Sequence, residues 1–96
     1  YYRGQRVVMD EFEFVHSPGH TDGSVLIISG NNVFTGDTLF YDSIGRTDMP
    51  SGDPKKMKES LKLFSNINDN SMIYPGHGNC FKLADAYKIN FFLKRQ

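Results

Sequence analysis

Three glycine-rich turns carry the side chains best suited to chemistry: His16-Ser-Pro-Gly-His-Thr-Asp-Gly-Ser24, Gly36-Asp-Thr-Leu-Phe40 and Tyr74-Pro-Gly-His-Gly78. Each sets a metal-capable group beside an apolar run. His20, Asp37 and His77 are the candidate ligands, because imidazole nitrogen and carboxylate oxygen are the groups that hold zinc or iron in hydrolytic centres with open positions. A carboxylate at Asp37 can bridge two metals with its two oxygens. Together these residues read as half of a two-metal hydrolase site.

Each residue also has a plainer reading. A histidine on a loop is more often a surface group, and an Asp after Gly usually caps a turn. The company they keep raises them: the nine-residue pattern around His20 has five or six specified positions, and Asp37 and His77 each follow a predicted strand. His16 shares the first motif, but two histidines four apart in a turn rarely both face one metal, so it reads as a packing or supporting group. Cys80 lies near His77 with no base or second cysteine apparent nearby, and a buried, small apolar role is expected for it.

The elements that must position these turns follow from periodicity. Val7-Val8-Met9 and Phe12-Glu13-Phe14-Val15 predict short strands, the second alternating between a buried and a wet face. Ser24-Val-Leu-Ile-Ile28 predicts a buried strand, closed by Gly30-Asn-Asn32 and followed by a hairpin partner, Val33-Phe34-Thr35. Residues 41–52 are polar and turn-rich. Asp53-Pro54 then opens a helix, with Asp as its N-cap and Pro at its first position. Met57, Leu61 and Phe64 at i, i+4, i+7 form its apolar face. Met72-Ile73-Tyr74 predicts a further strand, and residues 83–93 a last helix. This order predicts an α+β fold with one mixed sheet and helices on one face, the opposite face being apolar and in need of a partner.

Composition sets the outer limits. A chain of 96 residues, 39% hydrophobic and 23% charged, suits one small globular domain, with eight Phe and five Tyr as core material. Eleven basic and eleven acidic residues balance to a net charge of zero, so no nucleic-acid or anionic-membrane partner is expected. No apolar segment approaches the roughly 20 residues of a membrane helix. The single cysteine precludes an internal disulfide, which suits the cytoplasm. A chain that opens on Tyr1 close to a strand reads as a piece of something longer.

The three blocks, in this order, resemble the metallo-beta-lactamase-fold hydrolase superfamily. Gly45-Arg-Thr-Asp-Met-Pro50 with Gly52-Asp53, and Asn90-Phe-Phe-Leu93 near the end, narrow the resemblance to its hydroxyacylglutathione hydrolase-like (type II glyoxalase-like) branch. The resemblance implies half of a four-layer αββα sandwich, with residues 1–96 as the C-terminal part of one domain. By the family pattern His20 binds the first metal, Asp37 bridges both and His77 binds the second; zinc is the expected metal, with iron or manganese as substitutes. In the complete site the ions would activate a bridging water against a small-molecule thioester, ester or amide carbon, thioesters first. The family's opening signature, His-x-His-x-Asp-His, is missing from a chain with three histidines, and Phe91 stands where relatives tend to have proline. The isolated chain is therefore expected to bind metal weakly and turn over little. Two other readings stay open: a non-catalytic half-domain that associates with itself or another chain through its bare sheet face, and an iron-dependent, sulfur-oxidising member of the same fold.

Overall fold

The computed structural model describes residues 2–3, 6–48 and 50–93. Seven strands among them form one sheet in sequence order: β1 (Tyr2–Arg3), β2 (Arg6–Met9), β3 (Phe12–His16), β4 (Val25–Ser29), β5 (Asn32–Gly36), β6 (Met72–Pro75) and β7 (Phe81–Lys82). All neighbours pair antiparallel except β5 and β6. That parallel pair requires a crossover, and the chain between the two strands supplies helix α1 (Pro54–Leu61). Helix α2 (Leu83–Ile89) follows β7 directly. The fold is α+β, a mixed sheet with flanking helices in the half-sandwich arrangement expected from the sequence.

Strand alternation divides the sheet into two unlike faces. Val15, Leu26, Val33, Ile73 and Phe81 point to one side, where they form a buried cluster with Phe64, Leu83, Ala86 and Leu93. On the other side Val7, Phe14, Ile27, Phe34 and Tyr74 are successive register partners, a stripe running across five strands. The Phe34 and Tyr74 rings stack with centroids 5.0 Å apart, and Phe34 stays 42% exposed with Val25 at 41%. The uncovered face is thus apolar, which the continuous apolar run of β4 already implies: a strand buried on one side only would alternate with polar residues.

Helix α1 begins where expected. Asp53 accepts hydrogen bonds from the Lys55 and Lys56 amides at 2.9 and 3.2 Å, and Pro54 occupies a position that has no donor to lose. Its regular turns end at Leu61, and a 3₁₀ segment over Lys62–Asn66 carries Phe64 into the core. Met57 and Phe64 are buried as the periodicity predicts.

Three local expectations are corrected. The last helix stops at Ile89 rather than running to 93, because Asn90 leaves the helix and turns its side chain on a neighbouring loop. Cys80 is exposed, not buried. The two-residue strands β1 and β7 have no counterpart in the sequence reading, since two residues carry no period. Met49, within the block that narrows the family resemblance, lies outside the described residues.

Candidate metal centre

Two glycines let the backbone come close enough to build the site. Gly19 adopts φ +145°, and a Cβ there would lie 2.4 Å from the Met57 Cα. Only glycine allows the turn and the helix to meet. The contact is closed by the Asp53 amide donating to the Gly19 carbonyl at 2.8 Å and by Ser60 Oγ donating to the Pro18 carbonyl at 2.6 Å. Helix α1 therefore holds the turn that carries His20. On the far side of the site, Gly76 runs against Asp37: its amide donates to the Gly36 carbonyl at 2.7 Å, and an added Cβ would lie 2.9 Å from Asp37 Oδ1.

Asp37 sits just past the end of β5, where Gly36 turns the chain with φ +53°. Beneath it lies a buried set of hydroxyls: Thr35 Oγ1 donates to the Leu39 carbonyl at 3.0 Å, and Ser17 Oγ and Thr38 Oγ1 are 3.4 Å apart. These groups tie the turn of His20 to the turn of Asp37. An antiparallel bridge between Leu39 and Ile44 then folds the following loop back on itself, so that Gly45 and Arg46 return beside both residues.

The structure brings the three sequence candidates together. His20 Nε2 lies 3.5 Å from Asp37 Oδ2, and His77 Nδ1 lies 2.9 Å from Asp37 Oδ1. Each histidine takes a different oxygen of one carboxylate. Exposure rises across the set, from 20% for the His20 side chain through 35% for Asp37 to 81% for His77, so the group opens to solvent on the His77 side. Among the described residues no three His, Cys, Asp or Glu side chains converge on a single metal position. The arrangement is two pairs sharing Asp37.

His20 Nδ1 has a separate contact, 2.8 Å from the Arg46 carbonyl. The Arg46 side chain points elsewhere, its Nε and Nη2 donating to Asp48 Oδ1 and Oδ2 at 3.0 and 2.9 Å. That bidentate hydrogen bond holds the Asp48 carboxyl below the usual carboxylate range and pushes the Arg46 guanidinium further up. Being solvent-exposed, the pair contributes little to stability. His16 is not part of the centre: its Nε2 donates to the Asp22 carbonyl at 2.6 Å and closes the base of the 17–24 turn.

This geometry can be set beside known proteins. The metallo-beta-lactamase superfamily matches the chain over residues 4–77. The chain belongs to that superfamily. Its likeness to individual metallo-beta-lactamase relatives runs through both sequence and structure. It is 44% identical to a probable metallo-hydrolase of Methanocaldococcus jannaschii over 69% of this chain and 34% of the relative. It is 39% identical to the hydroxyacylglutathione hydrolase GloC of Haemophilus influenzae over 85% of this chain and 40% of that protein. The crystal structure of TTHA1623 in a di-iron-bound form superposes with a TM-score of 0.87 at 35% identity, covering 95% of this chain and 47% of the other. The chain thus spans less than half the length of each of these relatives.

Most of the groups that hold these candidate ligands in place do not stand out in the sequence. Ser17, Thr38 and Asn90 are buried polar residues, and Asn90 Nδ2 donates to the carbonyls of Phe40 and Ser43 at 2.9 and 3.0 Å, fixing the loop behind Asp37. Asn90 had a signal, as the first residue of the Asn-Phe-Phe-Leu block. The Arg46 carbonyl had none, because every residue has a carbonyl.

Proposed function

We propose that the full-length protein is a metal-dependent hydrolase of small-molecule thioesters, of the hydroxyacylglutathione type first and related esters second. The observation that carries the reading is the placement of His20 and His77 on opposite oxygens of Asp37. A carboxylate used as a turn cap would spend its oxygens on backbone amides. Asp37 instead faces two imidazoles, at an exposed edge.

The donor set fits the proposed metals. Carboxylate and imidazole suit zinc, iron and manganese, and Gly76 leaves Asp37 Oδ1 room that a larger residue would fill. His20 and Asp37 would hold one ion, Asp37 and His77 the other, with the remaining ligands coming from outside this chain. Zinc is our first assignment, and the di-iron form of a solved relative makes iron the first alternative. When bound, such ions make water a nucleophile at neutral pH and polarise a carbonyl. With ions bound, Asp37 would offset part of their charge and the Arg46 carbonyl would hold the His20 ring, while the exposed His77 side would leave a way in for substrate. A cytoplasmic location is part of the same proposal, Cys80 being a free thiol in this chain.

Asp37→Asn in the full-length protein tests this reading. An amide bridges poorly and carries no charge, so metal content by mass spectrometry and hydrolysis of glutathione thioesters should fall together. Loss of neither would overturn it. A second reading, a self-associating half-domain without catalysis, is favoured by the apolar open face of the sheet and by the two-ligand limit per ion. It predicts a full-length protein that holds no metal and hydrolyses no thioester.

A further inference from the structure

We infer that the Gly45–Arg46 backbone is a positioning element: its carbonyl fixes the tautomer of His20, and the missing side chain at Gly45 lets it reach. The inference rests on the metal-centre reading above and extends it to residues outside the ligand set.

A carbonyl oxygen can only accept, so His20 Nδ1, 2.8 Å from the Arg46 carbonyl, must carry the ring proton. The neutral ring then presents a bare lone pair on Nε2, the nitrogen that faces Asp37 Oδ2 at 3.5 Å. Two acceptors opposed at that distance repel unless a cation, a proton or a metal ion, stands between them. The backbone thus prepares the ligand: the nitrogen away from the carboxylate is committed to a donor role, and the nitrogen towards it is kept free to coordinate. Without the carbonyl the ring could protonate Nε2 instead and satisfy Asp37 by itself, which would hide the coordinating lone pair.

Gly45 makes the approach possible. Its φ lies outside the left-handed region, so conformational freedom is not the reason for glycine here. Space is. A Cβ at Gly45 would fall 1.8 Å from the Asp37 carbonyl oxygen and 3.1 Å from His20 Nδ1. The returning loop lies against both ligands at once, held by the Gly45 amide donating to the Thr38 carbonyl at 3.3 Å and by the bridge between Leu39 and Ile44. A side chain at 45 would push this loop outward and take the Arg46 carbonyl with it. The Arg46 side chain is not needed for the effect, being turned to Asp48.

The test reads the His20 tautomer by long-range ¹H–¹⁵N NMR on the full-length protein freed of metal, at a pH where the ring is neutral, and then titrates zinc. The unmodified protein should show Nδ1 protonated and Nε2 bare. Gly45→Ala should lose that pattern and bind zinc 10- to 100-fold more weakly, the range for removing a group that orients a metal-bound histidine. Gly52→Ala is the control for crowding alone. Its Cβ would fall 2.3 Å from the Thr47 carbonyl oxygen, so it disturbs the same loop, yet it should keep both the tautomer and the affinity. An Nε2-protonated ring in the unmodified protein overturns the inference, as does a Gly45→Ala protein that behaves like Gly52→Ala. If Gly45→Ala does not fold, the tautomer of the unmodified protein decides alone. Because the tautomer is read without metal, a protein that shows the expected pattern but takes up no zinc overturns the metal reading and leaves the positioning role standing.

Discussion

At the scale of single residues, the candidate centre depends on small groups that bring large ones into register. His16 and His20 share a motif and differ wholly in role. The His16 ring closes its own turn through the Asp22 carbonyl, whereas the His20 ring reaches across to Asp37. His16→Ala should therefore lower stability by about 0.5–1.5 kcal/mol, the net worth of one hydrogen bond, with metal stoichiometry unchanged in the full-length protein; chemical denaturation and metal analysis measure the two separately. Gly76→Ala should do the reverse. Its Cβ would crowd Asp37 Oδ1 at 2.9 Å, so metal affinity should fall by more than the modest loss of folding stability accounts for. Equal metal affinity in Gly76→Ala and the unmodified protein would show that Asp37 has slack that the geometry denies it.

At the scale of elements, helix α1 links stability to the site, because its N-terminal half is packed on Gly19 and its Ser60 is bonded to Pro18. Asp53→Ala removes the cap and should cost about 0.5–2 kcal/mol, seen as a lower midpoint in denaturant. It should also increase amide exchange across residues 17–24; protection unchanged there would mean that the turn holds His20 without the helix. This helix was legible in the sequence because Asp-Pro followed by an i, i+4, i+7 apolar row is a local signal. So were the long strands, each with its own pattern and turn. The two-residue strands β1 and β7 exist only because a neighbouring strand offers hydrogen bonds, and the early end of α2 reflects the demand of the Phe40–Ser43 loop for the Asn90 side chain. Those are tertiary causes. The site divides in the same way: His20, Asp37 and His77 stood out by residue type and spacing, whereas the Arg46 carbonyl and the Ser17–Thr38 contact became visible only once the chain was folded.

At the scale of the molecule, the sheet has one covered face and one apolar face that no described residue covers. Phe64, fully buried beneath the covered side, should be the costlier residue to truncate, about 3–5 kcal/mol for Phe64→Ala. Phe34, stacked on Tyr74 on the open side, should show the opposite profile: Phe34→Glu should do little to the core but weaken self-association. The 96-residue chain by itself is expected to form dimers or larger assemblies through that face, since a broad apolar patch is uncommon on a stable monomer. Light scattering measures this directly, and a monodisperse monomer at high concentration would count against an uncovered half-sandwich. The chain spans 34% to 47% of the length of the relatives that it resembles. Anomalous scattering at the zinc and iron absorption edges, from crystals of the full-length protein, reads the proposed bridging of two metals by Asp37. Two peaks are expected, one against His20 and Asp37 and the other against Asp37 and His77; no metal, or metal bound away from Asp37, would refute the proposed bridge.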